Sequence, residues 1–257
     1  MSISPQRFVG TIKEKRQLTQ MVYHFVIQNE KPTPFIFTPG QYATFIIDQK
    51  TRRQYSFCSL PTQSHFEVIV DIAPMGPGST YFLEKQVGDR VEYLAPLGNF
   101  TLQENLYKKV FVATGTGIAP FRSMLLSAME TLHPQYKTQN NSPLDAHVPQ
   151  FSLYWGMRYE DDMYWHEEFQ ALARQYRGFQ YFLCLSKPKE NWEKENLTSS
   201  RIRPVKGHVT DAVIENEKNL QNCEFYLCGN SAMINELKQR LSDLKVLDER
   251  VKMDMFY

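Results

Sequence analysis

The sequence predicts a two-domain β plus α/β protein: a six-stranded antiparallel β-barrel over residues 1–104, then a five-stranded parallel α/β domain over residues 105–257. Three observations carry this. Up to about residue 100, short runs of alternating apolar residues are separated by proline and glycine. After Leu102, strand-like runs alternate with segments of helical periodicity. The apolar run Val110 to Ala113 leads into Gly115-Thr116-Gly117 and then Pro120, the order of a buried strand, a tight turn and a helix start.

In the first half, Met21 to Asn29 alternates Tyr23, Phe25 and Ile27 with polar or smaller neighbours, and Gln41 to Asp48 alternates likewise. His65 to Ile72 sets Phe66, Val68, Val70 and Ile72 on one face. Pro39-Gly40, Pro74, Pro77-Gly78, Gly88-Asp89 and the stretch Pro96 to Asn99 punctuate these runs.

In the second half, Pro120 suits a first helical position, and Phe121, Met124, Leu125, Ala128 and Leu132 share a helical face. His133 to Gln150 lacks periodicity and reads as a surface loop. A strand near Phe151 to Gly156 precedes a helix carrying Trp165, Phe169, Leu172 and Tyr176. Next come a strand near Phe179 to Ser186, a short helix capped at Thr210-Asp211, and a strand near Cys223 to Cys228. A helix from Asn230 buries Met233, Ile234, Leu237, Leu241 and Leu244, and a strand from Val251 to Tyr257 ends the sequence.

Composition excludes several classes. A net charge of +1 gives no reason to expect nucleic acid or a membrane surface as partner. The basic clusters Lys13 to Arg16 and Arg201 to Lys206 read as solvated faces. No apolar run approaches the roughly 20 residues of a membrane span, and Met1 to Pro5 shows no secretory signal. Cys58, Cys184, Cys223 and Cys228 are too scattered for a disulfide framework, a zinc site or the Cys-x4-Cys-x2-Cys run of a plant-type iron–sulfur cluster. The expectation is a cytoplasmic monomer without its own metal centre.

Several short stretches carry chemistry. In Arg53-Gln-Tyr55-Ser56, the arginine can pair with a phosphate, the tyrosine can stack on a flat heterocycle and the serine can bond its edge. Gly76-Pro77-Gly78-Ser79 places small residues where backbone donors stay free, as a phosphate loop or as a simple turn. The Gly115 to Pro120 turn has the same two readings.

Together Arg53-x-Tyr55-Ser56, Gly76-x-x-Ser79, Gly115-Thr-Gly-Ile-Ala-Pro120, Cys228-Gly-Asn-x-x-Met233 and Phe256-Tyr257 closely resemble the ferredoxin–NADP reductase superfamily, in matching order and over nearly the whole chain. The resemblance implies that the barrel binds FAD (rather than FMN, from family frequency), that the α/β domain binds NADPH or NADH, and that hydride passes between nicotinamide and flavin. It places Arg53 on the flavin pyrophosphate, Tyr55 against the isoalloxazine and Ser56 near its N5, with Gly76, Gly78 and Ser79 supporting the pyrophosphate. Thr116, Gly117 and Pro120 would cradle the dinucleotide phosphates. Cys228, with Gly229 and Met233 of its motif, would orient the nicotinamide without acting as a nucleophile. Asp254 matches an acidic proton or charge partner, Phe256 an aromatic cover over the flavin, and Tyr257 extends one residue further.

There are departures. Asp71-Ile72 stands where plant-type members carry a basic pair, and their Ser-Arg…Lys-x-Tyr signature for the 2′-phosphate of NADP is absent. The sequence from Ser186-Lys187-Pro188 through Trp192 to Gly207-His-Val-Thr-Asp211 is closer to NADH-using oxygenase reductases, yet Arg158, Ser186 and Lys187 can hold a 2′-phosphate. The expected function is electron exchange between NAD(P)H and a separate ferredoxin or flavodoxin. The alternatives are an NADH-dependent reductase component of a multicomponent oxygenase, a non-turnover electron-transfer subunit, and a free-flavin reductase.

Overall fold

The computed structural model describes residues 5–31, 35–61, 65–136, 149–192 and 201–255. By internal contacts it divides into two compact units, Met1–Gln103 with Ala119–Ala128, and Glu104–Ile118 with Met129–Tyr257.

The first unit is built on β1 (Gln6–Gln17), β2 (Val22–Lys31), β3 (Tyr42–Ile46), β4 (Arg52–Ser56), β5 (His65–Asp71) and β6 (Arg90–Leu97). They form one antiparallel sheet in the order β4-β3-β6-β1-β2-β5. Alternation explains the register: Phe25 lies opposite Val68 and Ile27 opposite Phe66, all four buried. The Cys58 N–H donates to the Glu67 carbonyl at 2.9 Å, tying the chain after β4 to β5 and curling the sheet toward closure. Inside, Phe66 meets Phe35, Phe57 and Tyr93 with ring centroids 5.0–5.2 Å apart.

Between β5 and β6 runs α1 (Pro77–Glu84), whose Phe82 is buried against Phe25, Phe45 and Tyr55. Lys15, expected on a solvated face, instead donates through Nζ to the carbonyls of Leu83 (2.6 Å) and Lys85 (2.8 Å). The cation thus sits where the last carbonyls of α1 lack partners.

Residues 119–128 join this unit through side chains. Arg122 Nη1 donates to the Cys58 carbonyl and to Glu67 Oε2, both at 2.7 Å, and Ser123 Oγ donates to the Ser59 carbonyl at 2.6 Å. Burial pushes the Glu67 carboxyl up, but His24 and Arg122 overcome this and hold it at about 2.

The second unit contains β7 (Lys108–Thr114), β8 (Phe151–Met157), β9 (Phe179–Leu185), β10 (Ile202–Lys206), β11 (Cys223–Gly229) and β12 (Val251–Met255). All pair in parallel, in the order β10-β9-β8-β7-β11-β12. The sheet therefore has six strands where the sequence pattern indicates five. The extra strand, β10, comes from the basic cluster Arg201 to Lys206 and contains Pro204; it pairs only with β9, and an edge strand tolerates a residue without an N–H.

Among the described residues the helices include α2 (Ile118–Tyr136), α3 (His166–Gln175), α4 (Val209–Asn216) and α5 (Ser231–Asp243). α2 begins two residues before Pro120, directly after a 3-10 turn at Gly115–Gly117, and continues past His133. Pro120 is thus its third residue, still in the first turn, where no intrahelical N–H bond is lost. The rest of the expected 133–150 loop lies largely outside the described residues. α4 starts from His208, so Thr210 and Asp211 fall inside its first turn. Leu244, expected in the core, is the C-cap of α5 and 41% exposed, because the chain leaves the helix there through the left-handed Lys245 (φ 66°). Among the described residues no helix is long and apolar enough to cross a membrane.

Phe66→Ala, which empties the centre of the barrel, is expected to lower unfolding free energy by about 3–5 kcal/mol, measured by chemical denaturation.

Candidate functional site

Two sets of sequence-predicted residues assemble, one on each unit. On the first, β4 carries Arg53, Tyr55 and Ser56. Strand alternation places Arg53 and Tyr55 on one face and buries Ser56 on the other. The start of α1 closes on the first pair: a Cβ at Gly78 would stand 2.5 Å from the Tyr55 hydroxyl and 2.8 Å from Arg53 Cγ.

Gly76, the N-cap of α1, supplies no side chain to satisfy the first-turn N–H groups. The Ser79 hydroxyl is committed to the Asp71 carbonyl at 3.0 Å, so of its polar groups only the backbone N–H is left to the first turn of α1. Arg53 donates through Nη1 to the Arg52 carbonyl at 2.7 Å, and no carboxylate among the described residues pairs with it. Burial pushes the Tyr55 phenol up to about 12, so it stays neutral. An exposed guanidinium, free helix N–H groups and a neutral phenol form a donor set that fits a phosphate beside a flat ring.

On the second unit, the strand order reverses direction at β7, flanked by β8 on one side and β11 on the other. Ligands of open parallel sheets gather at the carboxyl ends of such strands. There the Gly115–Gly117 turn packs backbone to backbone on the end of β11: a Cβ at Gly117 would stand 2.2 Å from the Cys228 carbonyl and 2.8 Å from Gly229 Cα. Only glycine fits. Thr114 Oγ1 accepts from the backbone N–H (3.1 Å) and side-chain Nδ2 (3.0 Å) of Asn230, fastening the end of β7 to the turn after β11. Asn230 in turn caps α5, its Oδ1 accepting from the Met233 N–H at 2.8 Å.

Cys228 and Asp254 are register partners on β11 and β12. Burial first, and the neighbouring Asp254 charge second, push the Cys228 thiol well up, so it stays protonated. Burial raises the Asp254 carboxyl to about 6. Thiol and carboxyl thus stand side by side at a strand end, one fixed as a neutral donor and the other able to change charge near neutrality.

Arg158, Ser186 and Lys187 also come together, on the ends of β8 and β9. The Ser186 N–H donates to the Met157 carbonyl at 3.1 Å, and the Lys187 N–H to the Arg158 carbonyl at 2.9 Å. The predicted residues Phe256 and Tyr257 lie outside the described residues.

Sequence reasoning missed Thr114, Trp155 and Tyr164, and had Asn230 only as a motif position and helix start. Trp155 Nε1 (3.0 Å) and the Tyr164 hydroxyl (3.2 Å) both donate to the Gly115 carbonyl. Elsewhere, the ligand atoms of His24, Cys58 and Glu67 lie within 4.8 Å of one another, but the Arg122 guanidinium on Glu67 opposes a cation there. A cavity of about 450 Å³ lined by Lys108, Gln180 and Glu217 opens at the amino ends of β7 and β9, the opposite end from the glycine turn.

Comparison with known proteins gives this geometry its family. The model of the oxidoreductase FAD-binding domain matches residues 10–102, and that of the oxidoreductase NAD-binding domain matches residues 111–239. The chain belongs to the ferredoxin–NADP reductase superfamily. It carries an oxidoreductase FAD-binding domain followed by an oxidoreductase NAD-binding domain.

Among curated relatives, the electron transfer component of anthranilate 1,2-dioxygenase from Acinetobacter baylyi is 29% identical over 223 residues, covering 86% of this chain and 58% of the relative. In Neisseria gonorrhoeae, one component of the Na(+)-translocating NADH-quinone reductase is 27% identical, covering 82% and 50%. The chain therefore spans about half the length of the curated relatives it matches. Solved structures with the same fold include a cytochrome P450 reductase of Amycolatopsis (TM-score 0.79, 23% identity, 98% of this chain and 70% of that one). A ferredoxin NADP+ reductase from Neisseria gonorrhoeae with bound FAD and NADP aligns over 100% of both chains (TM-score 0.74, 18% identity).

Gly78→Ala forces the new methyl onto Tyr55 and Arg53 and is expected to yield protein depleted in FAD, measured as the flavin-to-protein absorbance ratio. Asp254 has a pKa of about 6 when folded and 3.8 ordinarily, so ionisation costs the folded state progressively as pH rises from 3.8 to 6, and fully above that. Asp254→Asn is therefore expected to stabilise the protein relative to wild type by a roughly constant amount above about pH 7. The difference vanishes below about pH 4, measured by thermal melts across pH.

Proposed function

We propose that this reductase moves electrons between NAD(P)H and a separate one-electron carrier, ferredoxin or flavodoxin, acting as a monomer. What chiefly supports this is the pairing of Cys228 and Asp254 at the carboxyl end of β11 and β12, beside a glycine turn with phosphate-binding geometry.

Bound FAD would supply hydride acceptance from the nicotinamide and release of single electrons. The chain's own residues do the rest. Arg53 and the first-turn N–H groups of α1 would hold the flavin pyrophosphate with Tyr55 against the ring, and Ser56, buried on the other face at the last position of β4, would bond the ring edge only from the strand end. Thr116, Gly117 and the start of α2 at Pro120 hold the dinucleotide phosphates. Cys228, protonated and buried, orients the nicotinamide by contact, and Asp254 holds or releases a proton beside it. Arg158, Ser186 and Lys187 meet the adenosine end, where they can accept either coenzyme.

A second reading is the reductase component of an oxygenase, supported by the likeness to the anthranilate dioxygenase component and by the missing plant-type 2′-phosphate signature. Carrier identity separates the two.

Rapid mixing of the yellow protein with NADH and with NADPH tests the reading. Flavin bleaching with at least one is expected; none with either refutes it. In Cys228→Ala, bleaching is expected to slow by roughly ten- to a hundredfold with FAD content unchanged.

A further inference from the structure

Gly115 stands at φ 53°, in the left-handed region. Glycine occupies positive and negative φ about equally, so the backbone alone does not fix how the Gly115–Thr116 peptide is turned. Yet its orientation decides what the turn offers. In a trans peptide the carbonyl and the following N–H point in opposite directions, so a flip would exchange the Thr116 N–H for the Gly115 oxygen at the ligand. An oxygen there repels a phosphate, whereas an N–H binds it.

Two side chains engage that oxygen. Trp155 Nε1 donates to it at 3.0 Å and the Tyr164 hydroxyl at 3.2 Å, besides the turn's own Ile118 N–H. Neither donor is loose. Trp155 is on β8, fully buried, in register with Ala113 of β7. Tyr164 is also buried and meets Trp155 edge to face, with centroids 4.9 Å apart at 82°. The chain behind Tyr164 turns through a left-handed Trp165 (φ 53°) into α3, whose Phe169 also meets Trp155 edge to face at 5.9 Å and 76°. A non-glycine residue in that conformation is uncommon, and here it returns Tyr164 to the glycine turn.

We propose that Trp155 and Tyr164 form a peptide lock: their two hydrogen bonds hold the Gly115 carbonyl inward and thereby keep the Thr116 N–H presented to a dinucleotide phosphate. Both are positioning residues, acting through the backbone and touching neither reacting ring. The inference rests on the proposed seat of the dinucleotide at this turn. Each bond biases the two peptide orientations by roughly two- to twelvefold, so loss of one weakens phosphate binding by at most that factor, the full factor being reached where the remaining bonds no longer keep the locked orientation in the majority, while hydride chemistry stays intact.

The test uses the FAD-loaded protein, with Tyr164→Phe, which deletes only a hydroxyl, and Trp155→Phe. Two hydride donors are compared: whichever of NADH and NADPH reduces wild type faster, and 1-benzyl-1,4-dihydronicotinamide, which carries no phosphate. The dinucleotide KM is expected to rise measurably, by up to about twelvefold, in each variant with little change in kcat, while rates with the benzyl donor stay level. An unchanged dinucleotide KM in Tyr164→Phe overturns the lock, and so does an equal loss with both donors, which would mark general damage to the fold. If neither coenzyme reduces wild type, the proposed function fails by itself. Calorimetric binding of NAD+ to the same proteins then decides the lock, with weaker binding in Tyr164→Phe supporting it and equal binding overturning it.

Discussion

The second unit depends on one close approach of backbone to backbone. Gly117 lies so near the end of β11 that a single added carbon would stand 2.2 Å from the Cys228 carbonyl. This contact brings the turn after β7 and the turn after β11 into one continuous rim. The N–H groups of the Gly115–Gly117 turn, the Cys228 thiol and the Asp254 carboxyl become neighbours because of it. Thr114 secures the arrangement from beneath, accepting two bonds from Asn230, which also caps α5. One hydroxyl thereby couples the end of a strand to the start of a helix.

The first unit solves a related problem by different means. Its aromatic interior supplies the stability, and the ligand-facing groups are left over at the edge strand β4 and the start of α1. A helix of eight residues has little stability of its own. α1 is held by buried Phe82 on one side and by Lys15 on its last carbonyls. Its amino end can therefore stay unsatisfied and available to an anion. Arg53, with no carboxylate paired to it among the described residues, likewise keeps its charge unneutralised.

Buried ionisable groups sort by whether partners compensate them. Glu67, bonded to His24 and Arg122, is held ionised at about 2 and ties residues 119–128 to the barrel. Asp254, raised by burial alone to about 6, has nothing comparable. A carboxyl kept that way costs stability at neutral pH, which is the pattern of a group retained for chemistry. Cys58, Cys184, Cys223 and Cys228 are all buried as free thiols, and only Cys228 stands at a strand end beside such a carboxyl.

Much was legible from sequence because it depends on local order. Period-two alternation in residues 21–72 sets the antiparallel strands, and the strand–glycine–helix order around Gly115 sets the switch to a parallel sheet. The motifs containing Arg53, Tyr55, Gly78, Gly115 and Cys228 are contiguous, so their residue types and spacing already specify donors and close approaches. β10 escaped because an edge strand containing proline and cations has no apolar periodicity. Leu244 escaped because helical spacing continues in sequence past the point where the chain leaves the helix. Tertiary structure alone decided which distant side chains meet: Arg122 with Glu67, Thr114 with Asn230, and Trp155 and Tyr164 with the Gly115 carbonyl. A buried tryptophan that fills a core and one that also holds a peptide in place look the same in a sequence, because the difference lies in where its single N–H points.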